Sequence, residues 1–358
     1  MKTYYDYLIE AESSPRIPHP EDSVFSGSAT GLKYARALQE VATDSKQVSI
    51  KWDGMIALYF GRDQSGRFFI NDKYMPETFY AYSPADWQRY DTEIKRSRTP
   101  RPDLYRKIAL IWPGLEAAVG NTSGTFKGDL MFIGPLEPVA QEYVFKPVTV
   151  EYRVPVNSEL GRLIAGRKGL IVAHQYNNQP WTGRSFGNKD VTVIRPDMGI
   201  QFKIRNPVGL AMQAEQSVSG QRGQLIDQFL AGLPKTVQAA INRYFNHLAT
   251  GQTRDTLEQW LPKEISARQV QNLFAEDGYL RTNAQGYQAL WQAWSAIGAY
   301  KNALAQQLES QVTGFSQRVD GQPGGEGFVF PSSAGLIKLV QKGSFGAAHF
   351  AGFAAGKK

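Results

Sequence analysis

Four charged residues stand where charge is expensive. Lys51 opens Lys51-Trp-Asp-Gly54, between two strand-like segments. Asp129 in Gly128-Asp-Leu-Met-Phe132, Glu326 in Glu326-Gly-Phe-Val-Phe330 and Lys338 in Leu336-Ile-Lys-Leu-Val340 each sit singly in an apolar run. Burial opposes a lysine's charge, so such a lysine must be paired or used. A partly desolvated lysine is a competent nucleophile toward carbonyl carbon or phosphorus. Taken alone, K-x-D-G is a weak pattern, and a turn lysine with a solvated head is its commoner meaning. Strand-embedded charges must nevertheless point somewhere. A cleft shared with a triphosphate and a metal ion satisfies all of them, since Mg²⁺ is usually held by one or two carboxylates plus substrate phosphates. A lysine acting as a Schiff base gives the two carboxylates no role.

Composition narrows the alternatives. The 358 residues contain no cysteine, which excludes disulfides, thiolate zinc sites, iron–sulfur clusters and a cysteine nucleophile. The four histidines, His19, His174, His247 and His349, never fall at i,i+3 or i,i+4, which argues against a histidine metal site. His174 is read as structural. Forty Lys+Arg against 33 Asp+Glu leave a charge of +7, compatible with a polyanionic partner. No signal peptide and no apolar run of about 18 residues is present, so the chain reads as soluble and intracellular.

The elements that must carry these residues follow from periodicity. Residues 1–30, with Tyr4, Tyr5 and Tyr7, read as an irregular arm. Leu32–Val41 and Leu104–Val119 have helical spacing. Val48–Gly61 reads as strand, turn, strand. Arg67–Ile70, Thr125–Ile133, Tyr143–Val154, Gly169–Tyr176 and Val191–Ile204 read as further strands. A basic run, Lys95, Arg96, Arg98, Arg101, Arg106 and Lys107, reads as a solvated or phosphate-contacting face. From about residue 210 helices dominate. Residues 210–315 carry eight Lys+Arg and eight Asp+Glu, so the whole surplus lies outside this block. Trp260, Trp291 and Trp294 read as core. After residue 325 strands return.

The order of these motifs resembles the covalent nucleotidyltransferase superfamily: ATP-dependent DNA ligases, RNA ligases and capping enzymes. Lys51-Trp-Asp-Gly54 resembles motif I, whose lysine attacks the α-phosphate of ATP and carries AMP. Gly128-Asp129 is similar to motif III, Glu326-Gly327 to motif IV, and Lys338 to the motif V lysine that contacts the α-phosphate. Lys73 lies where the family often has a basic residue after motif I. Gly169–Tyr176 is similar to the strand of motif IIIa. The whole chain also resembles an uncharacterised family of tailed phages, through its V-K-W-D-G-like start, Phe145-Lys-Pro147 and its K-L-V ending. The chain departs from DNA ligases and capping enzymes at Ile56, where they carry arginine. It departs again at Val340, where motif V usually has a second lysine (Lys342 stands slightly further on). Phe202-Lys-Ile-Arg205 is a second match to motif V but lacks an upstream Glu-Gly. Only about twenty residues follow Lys338, which leaves no room for an OB-fold.

The resemblance implies an α+β fold with a ligase-type core of antiparallel sheets and flanking helices, plus a helical insertion. Residues 1–209 would form the first part of the core, 210–315 the helical lobe and 316–358 the completing strands. It implies Lys51 and Lys338 as catalytic residues. Asp53, Gly54, Lys73, Asp129, Phe145, Glu326 and Lys338 would bind ATP, with Phe145 or Tyr176 stacking on adenine. Asp129 and Glu326 would hold Mg²⁺ (or Mn²⁺). The expected activity is polynucleotide ligation of 5′-phosphate to 3′-hydroxyl ends, slightly RNA-ligase-like, with DNA nick sealing nearly as well supported. AMP transfer to a protein or small molecule, or an inactive nucleic-acid-binding relative, are the alternatives. The implied partner is nucleic acid (DNA or RNA ends). The implied protein is a monomer, free of the membrane, in the cytoplasm of a phage-infected host.

Overall fold

A computed structural model describes residues 19–76, 78–95, 101–198 and 200–340. Tyr4, Tyr5, Tyr7, Arg96, Arg98, Lys342 and His349 lie outside the described residues. The fold is mixed α+β with several sheets. No helix among the described residues is long and apolar enough to cross a membrane.

The chain divides into two compact units along boundaries that composition does not suggest. One unit comprises, among described residues, 19–49, 201–311 and 327–340. The other comprises 50–200 and 312–326. The helical segment is therefore grouped, as far as residue 311, with the first helix and the last hairpin, and the strands after residue 315 are split between the units.

The strand-rich unit is built on a seven-stranded sheet. Its members are β2 (Ile56–Arg62), β3 (Phe68–Asp72), β4 (Gly124–Ile133), β7 (Gly169–Tyr176), β8 (Gln179–Pro180), β9 (Phe186–Gly187) and β10 (Val191–Ile194); β1 is the two-residue Ser49–Ile50. The order is β3-β2-β4-β7-β10-β9, with β8 on β7, and only β7–β10 is parallel. Strand side chains alternate between faces. Leu58, Phe60, Phe126, Leu130, Ile171 and Ala173 therefore share one face, in the hydrophobic core with Trp87, Ile108, Ile111 and Leu115. Those last residues come from helices Pro84–Arg89 and Pro102–Val119. Tyr59, Lys127 and Asp129 are left to the other face.

A four-stranded antiparallel sheet, β12-β11-β6-β5, completes this unit: β5 (Glu142–Phe145), β6 (Glu151–Pro155), β11 (Ser316–Val319) and β12 (Gln322–Pro323). The strand expected over Tyr143–Val154 is thus two strands, because Pro147 cannot donate to a ladder and the chain turns there. The strand expected over Val191–Ile204 ends at Ile194, just before Pro196.

The other unit is a helical assembly. Helix Ser28–Thr43 buries Ala35, Leu38 and Val41, on the face its spacing predicts. The long helix Ala284–Glu309 packs against it, against helix Val208–Ser217 and against the 3₁₀ turn Pro20–Ser26. There Lys301 pairs with Glu21 at 2.5 Å, both side chains 1% exposed. Trp294 Nε1 donates to Asp22 Oδ1 at 3.0 Å. Trp260 and Trp294 are buried, as their spacing suggests. The hairpin β13 (Phe328–Ser332) and β14 (Gly335–Leu339) belongs to this unit and sets Lys338 opposite Val329. Gly327 leads into it at φ +81; a Cβ there would lie 2.9 Å from Val340 Cα and against the Leu339 carbonyl. The Glu-Gly pair thus carries its glycine for a backbone reason.

Candidate functional site

The Lys51 turn is anchored by its two central residues. Trp52 is buried and stacks on Tyr152 (centroids 5.1 Å apart) and Phe315 (4.9 Å), and its Nε1 donates to the Pro196 carbonyl at 3.1 Å. Asp53 turns toward the four-stranded sheet. Its Oδ2 accepts from the amides of Thr149 (2.6 Å) and Val150 (2.9 Å), and its own amide donates to Tyr152 Oη at 2.7 Å. Three charge-assisted or phenolic bonds fix the turn on β6 and the segment before it. This engagement makes Asp53 a structural clamp, a role distinct from the nucleotide contact expected of it.

Gly54 brings the turn onto β4. A Cβ at this position would lie 2.5 Å from Asp129 Cβ and 3.2 Å from the Leu130 carbonyl. That carbonyl accepts from Met55 N at 2.8 Å. Only a residue without a side chain lets the turn ride over Asp129 at this distance.

Glu326 reaches Lys51 from the end of the 312–326 segment. Gly324 N donates to the Gln317 carbonyl at 3.0 Å, which holds the chain against β11, and Glu326 Oε2 then pairs with Lys51 Nζ. Both side chains are mostly buried. Asp129 lies at the same place. Burial pushes its carboxyl up to about 6, opposed by the positive charges of Lys51, Lys127 and Lys73 and reinforced by Asp53. His174 Nδ1 is 3.8 Å from Asp129 Oδ2. Burial, then Lys127, pushes the imidazole down to about 4, so His174 is neutral at physiological pH.

Asp129 thus feels the charges of Lys51, Lys127, Asp53 and Lys73, and Glu326 joins them through its pair with Lys51. Lys127 and His174 were not singled out for this site in the sequence. Their alternation with Asp129 along β4 and β7 is the signal that could have found them. Among the described residues no group of three His, Asp or Glu side chains is arranged to hold a metal ion. Asp129 and Glu326 are two hard oxygen donors, and phosphate oxygens would have to complete a magnesium shell.

Four more residues singled out in the sequence have other surroundings. Phe145 is 5% exposed and stacked on Tyr152 (5.2 Å, 14°) and against Phe132, so it belongs to the aromatic core beneath the turn. Tyr176 is tilted against Phe126, with its hydroxyl donating to the Ser123 carbonyl. Arg101, read as part of a solvated basic face, instead holds two fully buried carboxylates, Asp72 and Asp91, each at 2.9 Å. Buried aspartates need charge compensation, and Arg101 supplies it to both. Lys338 lies in the other unit.

Residues 16–352 match the model of a family described as a family of unknown function (DUF6267). No match is found among curated proteins or among solved structures.

Proposed function

The chain belongs to the family of unknown function (DUF6267), and we propose that it is an ATP-dependent polynucleotide ligase working through a Lys51–AMP intermediate. The observation that carries this reading is the Lys51 amine paired with Glu326 on a turn that Gly54 seats directly over Asp129. A bare turn lysine would not be clamped by Trp52 and Asp53 and matched to a carboxylate from a segment 275 residues away.

In this reading Lys51 Nζ attacks the α-phosphorus of ATP. The N–P bond forms as the P–O bond to pyrophosphate breaks. Glu326, which already accepts a hydrogen bond from Nζ, is the nearest acceptor for the proton released. AMP next passes from Lys51 to a 5′-phosphate end, which frees the amine. A 3′-hydroxyl then displaces AMP and forms the phosphodiester. Asp129 and Glu326 would hold Mg²⁺ (or Mn²⁺) together with the nucleotide phosphates. Asp129 suits that task because burial leaves its charge undercompensated by the lysines around it. When bound, the ion lowers the lysine pKa and draws charge from the phosphates. Lys127 adds positive charge for the same phosphates.

The test is a pulse and chase. The protein is incubated with α-labelled ATP and Mg²⁺, desalted, then mixed with nicked DNA, nicked RNA duplex or single-stranded RNA bearing a 5′-phosphate. Transfer of label to the 5′ end, followed by sealing and release of AMP, is the expected result. Label that forms on the protein but reaches no nucleic acid end, and instead moves to an added protein or small molecule, overturns the ligase reading in favour of AMP transfer.

A further inference from the structure

A cavity of about 460 Å³ opens on the Asp129 face of the seven-stranded sheet, and neither Lys51 nor Asp129 lines it. The register puts it on that face: Asn71 pairs with Tyr59, which pairs with Lys127 two residues before Asp129. Tyr59, Phe69, Tyr80 and Lys73 are among the residues that line it. Asn71 builds the wall. Its amide donates to the Phe79 carbonyl and accepts from Ala81 N at 2.9 Å, which sets Tyr80 edge-on to Phe69 with centroids 4.7 Å apart. Lys127 Nζ lies 5.3 Å from the Tyr59 ring centre.

A second aromatic surface adjoins it. Tyr74 is 51% exposed, and the ammonium groups of Lys73 (5.0 Å) and Lys95 (5.8 Å) lie over its ring. The turn that presents it is fixed: Asp72 Oδ1 accepts from Tyr74 N at 2.8 Å while Arg101 holds Oδ2. Lys73 thus stands between two aromatic elements, one concave and one open. Rings that accept base faces, alternating with cations that accept phosphates, are the chemistry of single-stranded nucleic-acid binding. A mononucleotide would fill only one of the two elements, and a duplex buries the base faces that both require.

We propose that this surface binds single-stranded nucleic acid, one base entering the cavity, a neighbouring base stacking on Tyr74, and Lys73 between them on the backbone. The proposal rests on the nucleic-acid half of the function above and not on Lys51 chemistry. The experiment is fluorescence anisotropy of a labelled decathymidylate with the full chain, without ATP or metal, and with folding of each variant checked by circular dichroism. Tyr80→Ala and Tyr74→Ala should each weaken binding about 5- to 100-fold. Lys73→Ala should reduce the slope of log K against log salt by about 0.7. Excess ATP should not displace the oligonucleotide, and a blunt duplex should compete poorly. Absence of binding, wild-type affinity in both tyrosine variants, or one-for-one displacement by ATP overturns the proposal. Binding by a chain that forms no AMP adduct removes the ligase reading and leaves this one. An adduct without binding does the reverse.

Discussion

Gly54→Ala is the sharpest structural test of how the lysine turn is seated. The new Cβ would lie 2.5 Å from Asp129 Cβ. Carbon atoms settle about 3.5–4.0 Å apart, so the turn must retreat by roughly 1 Å. The retreat stretches the 2.8 Å bond from Met55 N to the Leu130 carbonyl. Overpacking of this kind costs about 1–3 kcal/mol, and a lost backbone hydrogen bond adds about 1 kcal/mol. For a unit of this size each kcal/mol lowers Tm by about 2–4 °C, so the variant should melt roughly 5–15 °C below the parent. Displacing a nucleophile by about 1 Å should also slow adduct formation on the order of 100-fold. The melt is followed by circular dichroism and the adduct by label from α-labelled ATP. The double variant Gly54→Ala, Asp129→Gly removes the clashing Cβ, so in that background the alanine should cost less than half as much in Tm. An alanine variant that melts with the parent, or a penalty unchanged in the glycine background, would show that the Asp129 side chain does not limit the turn.

Other consequences follow from buried charge. Asp129 and His174 titrate in the same window with opposite effects on stability. The raised Asp129 pKa means the folded state loses stability as pH rises from 3.8 through about 6. The depressed His174 pKa means it loses stability as pH falls from 6.5 through about 4. Asp129→Asn should therefore leave a Tm that rises with pH across 4–6.5, and His174→Gln one that falls; slopes of the same sign in both variants would contradict the assignment. Arg101→Met takes a guanidinium away from two fully buried aspartates and should cost about 3–5 kcal/mol in a urea melt; a loss under about 1 kcal/mol would mean that the guanidinium is not what stabilises them. Lys301→Met should cost a similar amount by leaving Glu21 buried, and the pair Lys301→Met, Glu21→Leu should recover most of it. Equal melts for the single and double variants would exclude a direct pairing.

Much of the strand-rich unit was legible because its signals are local. Gly169–Tyr176 is a strand over the range its β-branched composition predicts, and Leu104–Val119 is helical from Pro102 onward. The failures have physical causes. Pro147 and Pro196 end strands that hydrophobicity alone would extend. The division into units depends on contacts between distant segments, which a shift in composition at residue 210 does not report. At the site, the spacing of Lys51, Asp53 and Gly54 shows a turn, and the structure brings Asp129, Glu326 and Lys73 to it. What the motif could not tell is that Asp53 faces the Thr149 and Val150 amides. Nor could it tell that Phe145 lies in the stack beneath. Both depend on Tyr152, an unremarkable tyrosine in the sequence whose ring joins Trp52 to Phe145 and whose hydroxyl takes the Asp53 amide. Arg101 looked like surface charge because its two aspartates come from positions 72 and 91, on either side of a long interval.

The proposed function turns on whether Lys51 carries AMP. Its most direct test is peptide mapping by mass spectrometry after incubation with ATP and Mg²⁺ or Mn²⁺, with quenching at alkaline pH to preserve an acid-labile phosphoramidate. One AMP is expected on the peptide containing Lys51-Trp-Asp-Gly54, released by acid and absent from Lys51→Ala and Lys51→Arg. An unmodified Lys51 peptide with ATP, other nucleoside triphosphates and NAD alike, under either metal, or AMP found on a different lysine, would contradict it.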